Sequence, residues 1–154
     1  MATRSSISIR NEDGSYTGIY CHWDGYLSNN GRILEQHYAD ETKIRQLMAL
    51  GHISSLAPEI GEQHPFDNPH RWGTAEHDAW DTLHKDLCTA YGRDRGEPRQ
   101  EAVTKHTILD LMGKLGQEYD YLWFDGCWHV RFHASNDRFV TMDEARRLDA
   151  DDED

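Results

Sequence analysis

Two imidazoles and one carboxylate stand at helical spacing in the middle of the chain: His77, Asp81 and His84. Spacings of four and three residues place all three side chains on one face of a helix. Two imidazoles and a carboxylate are a ligand set for a divalent metal such as catalytic zinc, with one coordination position left open. The alternative is a solvated helix flank, because no HExxH motif and no paired cysteines accompany these residues. A metal site here would support a metal-dependent hydrolase.

A run of aromatic and polar side chains follows the second predicted strand. It contains His22, Trp23, Asp24 and Tyr26. Loops at strand ends often carry binding residues, and Trp and Tyr are typical anchors of protein interfaces. In the alternative interpretation the run is a packed corner, in which Trp23 covers the sheet edge and Asp24 turns the chain. We predict that these four residues bind a partner, and we predict no catalytic residue because no nucleophile stands nearby.

Two arginines occupy a short segment flanked by glycines. Arg93 and Arg95 lie two residues apart, shortly after Tyr91. Arginine binds phosphate through paired N–H donors, so these three residues could form a phosphate or nucleotide site. In the alternative interpretation Asp94 and Glu97 neutralise both arginines in a structural loop. The segment lacks the GxxxxGK[ST] pattern of a P-loop.

Secondary structure must hold these candidate residues in place, and the sequence predicts two β-hairpins, one in its N-terminal part and one in its C-terminal part. Residues 6–10 and 16–22 have strand-like composition on either side of a turn-rich segment. Residues 119–124 and 127–133 form the second pair, and the Asp-Gly dipeptide between them is typical of a type I′ turn. An isolated hairpin is only marginally stable in water. We therefore predict an α+β fold in which both hairpins join one antiparallel sheet, with the helices packed on one face.

Capping residues and apolar spacing predict the helices between the hairpins. Asp40 is a candidate N-cap for a helix that ends near Gly51. Thr104 is the candidate N-cap of a later helix that ends at Gly116. Residues 74–91 are ambiguous, because apolar residues at helical spacing are followed by residues suited to a strand. The sequence therefore leaves helix and strand open in that segment.

Length and charge limit the class of protein. The 154 residues, of 17.9 kDa, favour one α+β domain over residues 1–148 and an acidic disordered tail over residues 149–154. A net charge of −12 argues against direct binding to nucleic acid or anionic membranes. No apolar run is long enough to span a bilayer. The three cysteines form no CxxC pair, which favours free thiols in a reducing cytoplasm.

Three stretches of the sequence together resemble a protein family. They are residues 19–26 (IYCHWDGY) with Asn30-Gly31 after them, residues 88–97 (CTAYGRDRGE) and residues 121–128 (YLWFDGCW). Over most of residues 4–135, the chain resembles a family of small acidic accessory proteins of tailed bacteriophages and prophages. The resemblance implies expression inside a bacterium during infection. It implies no catalytic residues, because none is associated with that family.

The family context favours a binding protein over an enzyme. Small acidic phage accessory proteins commonly inhibit a host nuclease, polymerase or defence complex, and some sequester a signalling nucleotide. We therefore predict a non-enzymatic inhibitor, for example an anti-CRISPR, that binds a host defence or nucleic-acid-processing protein with a basic surface. The alternatives are a nucleotide-binding protein that sequesters a defence signal and, less favoured, a metal-dependent hydrolase. We expect the protein in the cytoplasm of the bacterial host, with no cofactor, no direct nucleic-acid contact and no membrane contact.

Overall fold

The computed structural model describes residues 2–61, 69–84, 87–95 and 100–153, with the backbone alone for residues 83, 84, 95 and 151–153. Within those residues a single sheet contains eight strands. The strands are β1 Ser5–Arg10, β2 Tyr16–Cys21, β3 Ile53–Ser55, β4 Thr89–Ala90, β5 Val103–Lys105, β6 Tyr119–Phe124, β7 Cys127–Arg131 and β8 Val140–Thr141. Their order across the sheet is β4-β3-β2-β1-β6-β7-β8, and β5 also pairs with β2.

Six α-helices accompany the sheet in the part of the chain that the structure describes. They are α1 Arg32–His37, α2 Glu41–Ala49, α3 Ala75–His84, α4 Tyr91–Arg95, α5 Ile108–Leu115 and α6 Met142–Glu153. A π-helical turn at Leu27–Gly31 leads into α1, and a 3-10 turn at His133–Ser135 follows β7. None of the described helices is long and apolar enough to cross a membrane.

The α+β class predicted from the sequence is confirmed, and both predicted hairpins are present in one sheet. β1 pairs antiparallel with β2, and β6 pairs antiparallel with β7. The prediction of an antiparallel sheet is wrong, because β1 pairs with β6 in parallel and β2 pairs with β3 in parallel. The connection from β2 to β6 is long and contains helices, which lets β6 return beside β1 in the same direction.

We call the sheet face that carries Ile7 the core face. Ile7, Ile19 and Val130 lie on this face through their strand pairings, and all three side chains are fully buried. Buried residues of α1, α2 and α6 complete the same cluster, for example Leu34 and Leu47. Burial of apolar surface between these helices and the sheet is the main source of stability.

The opposite face of the sheet, which carries Gly18, packs against α5. Leu111, Met112 and Leu115 of α5 form a second buried cluster there. A Cβ atom at Gly18 would lie 3.3 Å from Leu111 Cδ2 and 3.2 Å from Leu115 Cδ1, so the missing side chain lets the helix approach the strand closely. The prediction that the helices pack on one face therefore holds for α1, α2 and α6 but not for α5.

Helix boundaries follow local capping, with one correction. The Thr42 N–H donates to Asp40 Oδ1 at 3.0 Å, which confirms Asp40 as the N-cap of α2. Thr104 does not cap α5, because it lies in β5 and Thr107 accepts from the Asp110 N–H at 3.1 Å instead. The ambiguous residues 74–91 contain both predicted kinds of structure, since α3 is followed by β4.

The C-terminal helix continues further than the sequence indicates. Residues 149–153, predicted as part of a disordered tail, belong to α6. The Arg147 guanidinium lies 2.6 Å from the Glu144 carboxylate three residues earlier, a spacing that supports a helix. Residues 149–153 therefore continue this helix in the structure.

Polar contacts join β1 to the C-terminal hairpin on the face opposite the core. The Ser6 hydroxyl donates to Asp120 Oδ1 at 2.6 Å, and the Arg131 guanidinium lies 3.2 Å from Asp120 Oδ2. The Gln117 N–H also donates to Asp120 Oδ1, at 2.9 Å. Burial raises the pKa of this carboxyl group, although its hydrogen bonds and Arg131 act in the opposite direction. Hydrogen bonds to the buried Asp120 thus connect residues from the two ends of the chain.

Candidate functional site

The loop that follows β2, residues 22–26, is held by backbone hydrogen bonds to two neighbouring segments; we call it the aromatic loop. The His22 and Trp23 N–H groups donate to carbonyls of β3, at 3.2 and 3.0 Å. The Gly25 N–H donates to the Thr3 carbonyl at 2.8 Å, and a Cβ at Gly25 would lie 2.8 Å from Ser5 Cβ. Asp24 adopts a positive φ of 57°, a conformation that Asp tolerates better than most residues. The backbone of the loop is therefore fixed closely against the sheet.

Two large aromatic side chains of the aromatic loop remain accessible. Trp23 is 44% exposed and Tyr26 is 39% exposed. The Trp23 ring meets the His22 ring edge to face, with centroids 4.7 Å apart. Below the loop, the buried Tyr121 hydroxyl donates to the Gly25 carbonyl at 2.6 Å. The structure thus brings the predicted partner-binding residues together on one supported loop.

A cluster of polar and aromatic side chains lies beside this loop on the sheet face opposite the core. We call it the polar cluster; it comprises Arg4, Tyr20, His22, His52 and Tyr91. The β1–β2 register, continued by one residue, places Arg4 opposite His22, and the β2–β3 register places Tyr20 beside His52. The β3–β4 register places Tyr91 opposite His52, and the Tyr91 N–H donates to the His52 carbonyl at 3.3 Å. Strand pairing therefore aligns five side chains from four segments of the chain.

Hydrogen bonds within the polar cluster fix the orientation of its rings. The Tyr20 hydroxyl lies 2.7 Å from His22 Nδ1, and the Tyr20 backbone N–H donates to His52 Nδ1 at 3.0 Å. Burial raises the pKa of Tyr20, while the Arg4 guanidinium beside it acts in the opposite direction. Burial lowers the pKa of His52, which favours its neutral form. Arg4 is exposed and the other four side chains are partly exposed, so solvent reaches the cluster.

The predicted phosphate site at Arg93 is occupied by the protein's own acceptors. The Arg93 guanidinium pairs with the buried Asp94 carboxylate at 2.9 Å and donates to the Gly61 and Cys88 carbonyls. Asp94 Oδ2 also accepts from the Ala90 N–H at 2.6 Å. This arrangement matches the alternative interpretation of a structural segment for Arg93. The side chain of Arg95 lies outside the described residues.

The predicted metal ligands are brought together only in part. His77 Nδ1 lies 3.5 Å from Asp81 Oδ2 on α3, the geometry of an ion pair between neighbouring helical turns. The side chain of His84 lies outside the described residues. Among the side chains that the structure describes, no group of three or more His, Cys, Asp or Glu residues could hold a metal ion.

Sequence analysis missed three members of the polar cluster: Arg4, Tyr20 and His52. Tyr20 and His22 alternate along β2, so their shared face is visible in the sequence as a two-residue spacing. Arg4 and His52 join them only through strand register, for which the sequence holds no local signal. Tyr91 was singled out for a site with Arg93, and the structure places its backbone beside His52 as well.

Comparisons with protein-family models, curated proteins and solved structures gave no match for this chain. The function is therefore inferred from the aromatic loop, the polar cluster and the net charge. The resemblance to phage accessory proteins remains an expectation from the sequence.

Proposed function

We propose that this protein is a non-enzymatic inhibitor that binds a host defence or nucleic-acid-processing protein of a bacterium. The proposal includes an anti-CRISPR role as one form of such inhibition. Trp23 and Tyr26 form the centre of the contact surface. The phage context of this proposal rests on the sequence resemblance. The position of the contact surface rests on the structure of the aromatic loop.

The observation that supports this function is the exposure of two aromatic side chains on a fixed backbone. Trp23 and Tyr26 keep 44% and 39% of their surface in solvent, although most large apolar side chains described in the structure are buried. Aromatic anchors bury a large area on binding and lose few rotamers. Because hydrogen bonds already order the loop, a partner would bind it at a small entropic cost.

The charge of the chain favours a basic partner. Its net charge of −12 attracts a positively charged surface over several ångströms and accelerates the encounter. Proteins that process nucleic acid carry such surfaces to bind phosphate backbones. Electrostatic steering combined with aromatic anchors is a common basis of specific protein association.

A tagged pull-down from lysate of the bacterial host, read by mass spectrometry, would test the proposal. We expect wild-type protein to retain one stoichiometric partner at moderate salt, and the purified protein to inhibit the activity of that partner. The Trp23→Ala/Tyr26→Ala double variant should lose the partner, with a Kd at least about 30-fold weaker, because truncating one such anchor alone costs roughly 2 kcal/mol or more.

The matched control is Trp72→Ala, which removes another exposed tryptophan, 84% accessible, from a different segment. It should retain the partner, and circular dichroism should show all variants folded. Unchanged binding by the folded double variant would exclude the aromatic loop as the contact surface. A retained partner whose activity is not inhibited would exclude the inhibitor function.

A further inference from the structure

Three side chains of the polar cluster carry hydrogen-bond donors and keep part of their surface in solvent: Arg4, His22 and His52. His52 Nδ1 accepts from the Tyr20 backbone N–H. A neutral imidazole that accepts at Nδ1 carries its proton on Nε2, so the free side of the His52 ring is a donor. Burial lowers the pKa of His52, which favours the neutral ring that this tautomer requires. The ring thus offers one fixed N–H group.

The second imidazole, that of His22, is hydrogen-bonded to Tyr20. Its Nδ1 lies 2.7 Å from the Tyr20 hydroxyl, and the Arg4 guanidinium lies beside the phenol oxygen. A guanidinium has no acceptor, so among these three side chains only His22 Nδ1 can accept the Tyr20 proton. In that arrangement a neutral His22 ring carries its own proton on Nε2. Both imidazoles therefore present an N–H group, and Arg4 adds a permanent positive charge with several donors.

Arg4 is available for a ligand. No carboxylate among the described residues forms an ion pair with it, whereas the guanidinium groups of Arg93 and Arg131 are paired with Asp94 and Asp120. Its side chain is exposed. An arginine with free donors beside neutral imidazole N–H groups matches the acceptor oxygens of a phosphate.

A flat aromatic surface borders these donors. The Trp23 ring contacts the His22 ring, with centroids 4.7 Å apart, and 44% of the Trp23 side chain is exposed. Nucleobases stack on such exposed aromatic rings. A ligand with a phosphate at one end and a base at the other would therefore contact both features.

We propose that the polar cluster binds the phosphate group of a nucleotide and that Trp23 stacks on its base. Arg4, His22 and His52 donate to the phosphate oxygens. A mononucleotide suits the site better than a nucleic-acid strand, because the net charge of −12 repels a long polyanion. This binding does not depend on the protein partner proposed above.

Isothermal titration calorimetry with AMP, GMP, CMP and UMP would test this site, with adenosine and inorganic phosphate as fragments. We expect at least one nucleotide to bind more tightly than both fragments. Arg4→Gln should weaken nucleotide binding by about 10-fold or more, because it removes charge-assisted hydrogen bonds. Trp23→Ala should weaken nucleotide binding by roughly 5-fold or more and leave phosphate binding unchanged.

Arg10→Gln is the matched control, since Arg10 is an exposed arginine at the other end of the same strand. It should bind nucleotide like the wild type. The proposal is overturned if no nucleotide binds at millimolar concentration, or if Arg4→Gln binds as well as the wild type. Phosphate binding as tight as that of every nucleotide would overturn the stacking on Trp23.

Two variants separate this site from the proposed protein interface. Arg4→Gln should lose nucleotide and retain the protein partner. Tyr26→Ala should retain nucleotide and weaken the partner. Loss of both ligands in both variants, with the fold intact, would contradict the assignment of two contacts that share Trp23 and differ at Arg4 and Tyr26.

Discussion

At the scale of single residues, His52 shows how burial determines the chemistry of the polar cluster. Its Nδ1 atom accepts a hydrogen bond from the Tyr20 backbone, and burial lowers its pKa from the ordinary value of 6.5. Both effects favour the neutral ring in the folded state. In the unfolded state the same ring takes up a proton more readily, so acidification favours unfolding at this residue.

We expect His52 to make the free energy of unfolding depend on pH. Because its folded pKa is lowered, its stabilising contribution is fully present above about pH 6.5 and is lost as the pH falls toward the lower folded pKa. The His52→Gln variant should therefore lose less stability than the wild type between pH 7 and pH 5, measured by urea unfolding. Burial also lowers the pKa of His129, but this residue is unchanged in the variant, so it contributes equally to the pH dependence of both proteins. Equal losses in the two proteins would contradict the role of His52.

Exposure divides the cysteines into two kinds. Cys21 and Cys88 are buried, which raises the pKa of Cys21 to about 12 and also raises that of Cys88. Cys127 is free and exposed at the start of β7. Thiol reagents attack accessible thiolates, so the three residues differ in reactivity.

We predict that one thiol per chain reacts quickly with Ellman's reagent in the native protein. Three thiols should react after denaturation. Cys127→Ser should remove the fast phase and leave two thiols that react only on unfolding. A fast phase that persists in Cys127→Ser would show that Cys21 or Cys88 opens to solvent readily.

At the scale of secondary-structure elements, local signals and non-local contacts explain what the sequence could predict. The two hairpins were predictable because strand composition and an Asp-Gly turn act over a few residues; Asp125 and Gly126 both have positive φ, as a type I′ turn requires. The parallel pairing of β1 with β6 was not predictable, because it joins the two ends of the chain. Likewise the aromatic loop is continuous in sequence, whereas Arg4 and His52 join the site through register.

The packing of α5 also depends on a residue whose role was not visible in the sequence. Gly18 lies in β2 under α5, and a Cβ there would come 2.4 Å from Ser8 Oγ. Gly113 lies within α5, and a Cβ there would meet no atom within 4 Å. Gly18 therefore lies inside the helix–sheet contact, whereas Gly113 lies on the exposed side of the same helix.

We predict that alanine at these two glycines changes stability in opposite directions. Gly18→Ala should destabilise the protein by about 1–3 kcal/mol, because the added methyl group overlaps Ser8 Oγ and also overpacks the contact with α5. Gly113→Ala should stabilise it by roughly 0.4–1 kcal/mol, because alanine restricts the unfolded chain and favours the helix. Urea unfolding of both variants measures these changes. A neutral Gly18→Ala would show that α5 packs less closely on β2.

At the scale of the whole molecule, the two hairpins share one core. Ile7 of the first hairpin and Val130 of the second belong to the same buried cluster on the core face. Neither hairpin can bury its apolar side chains without the other, and small domains with one core usually unfold in a single step.

We therefore expect one cooperative unfolding transition. Tryptophan fluorescence, to which all five tryptophans contribute, should give the same urea midpoint as far-ultraviolet circular dichroism. Coincident curves would support a single unit. Two separated midpoints would contradict a single cooperative unit.

The parallel pairing of β1 with β6 has a consequence for synthesis of the chain. Ser6 and its hydrogen-bond partner Asp120 are 114 residues apart. At roughly 5–20 residues per second, the ribosome adds the second strand about 6 to 23 seconds after the first. During that interval the nascent chain exposes Ile7 and Ile9 along an unpaired strand edge, where it can bind chaperones or aggregate. Additional chaperone during synthesis should therefore raise the soluble yield.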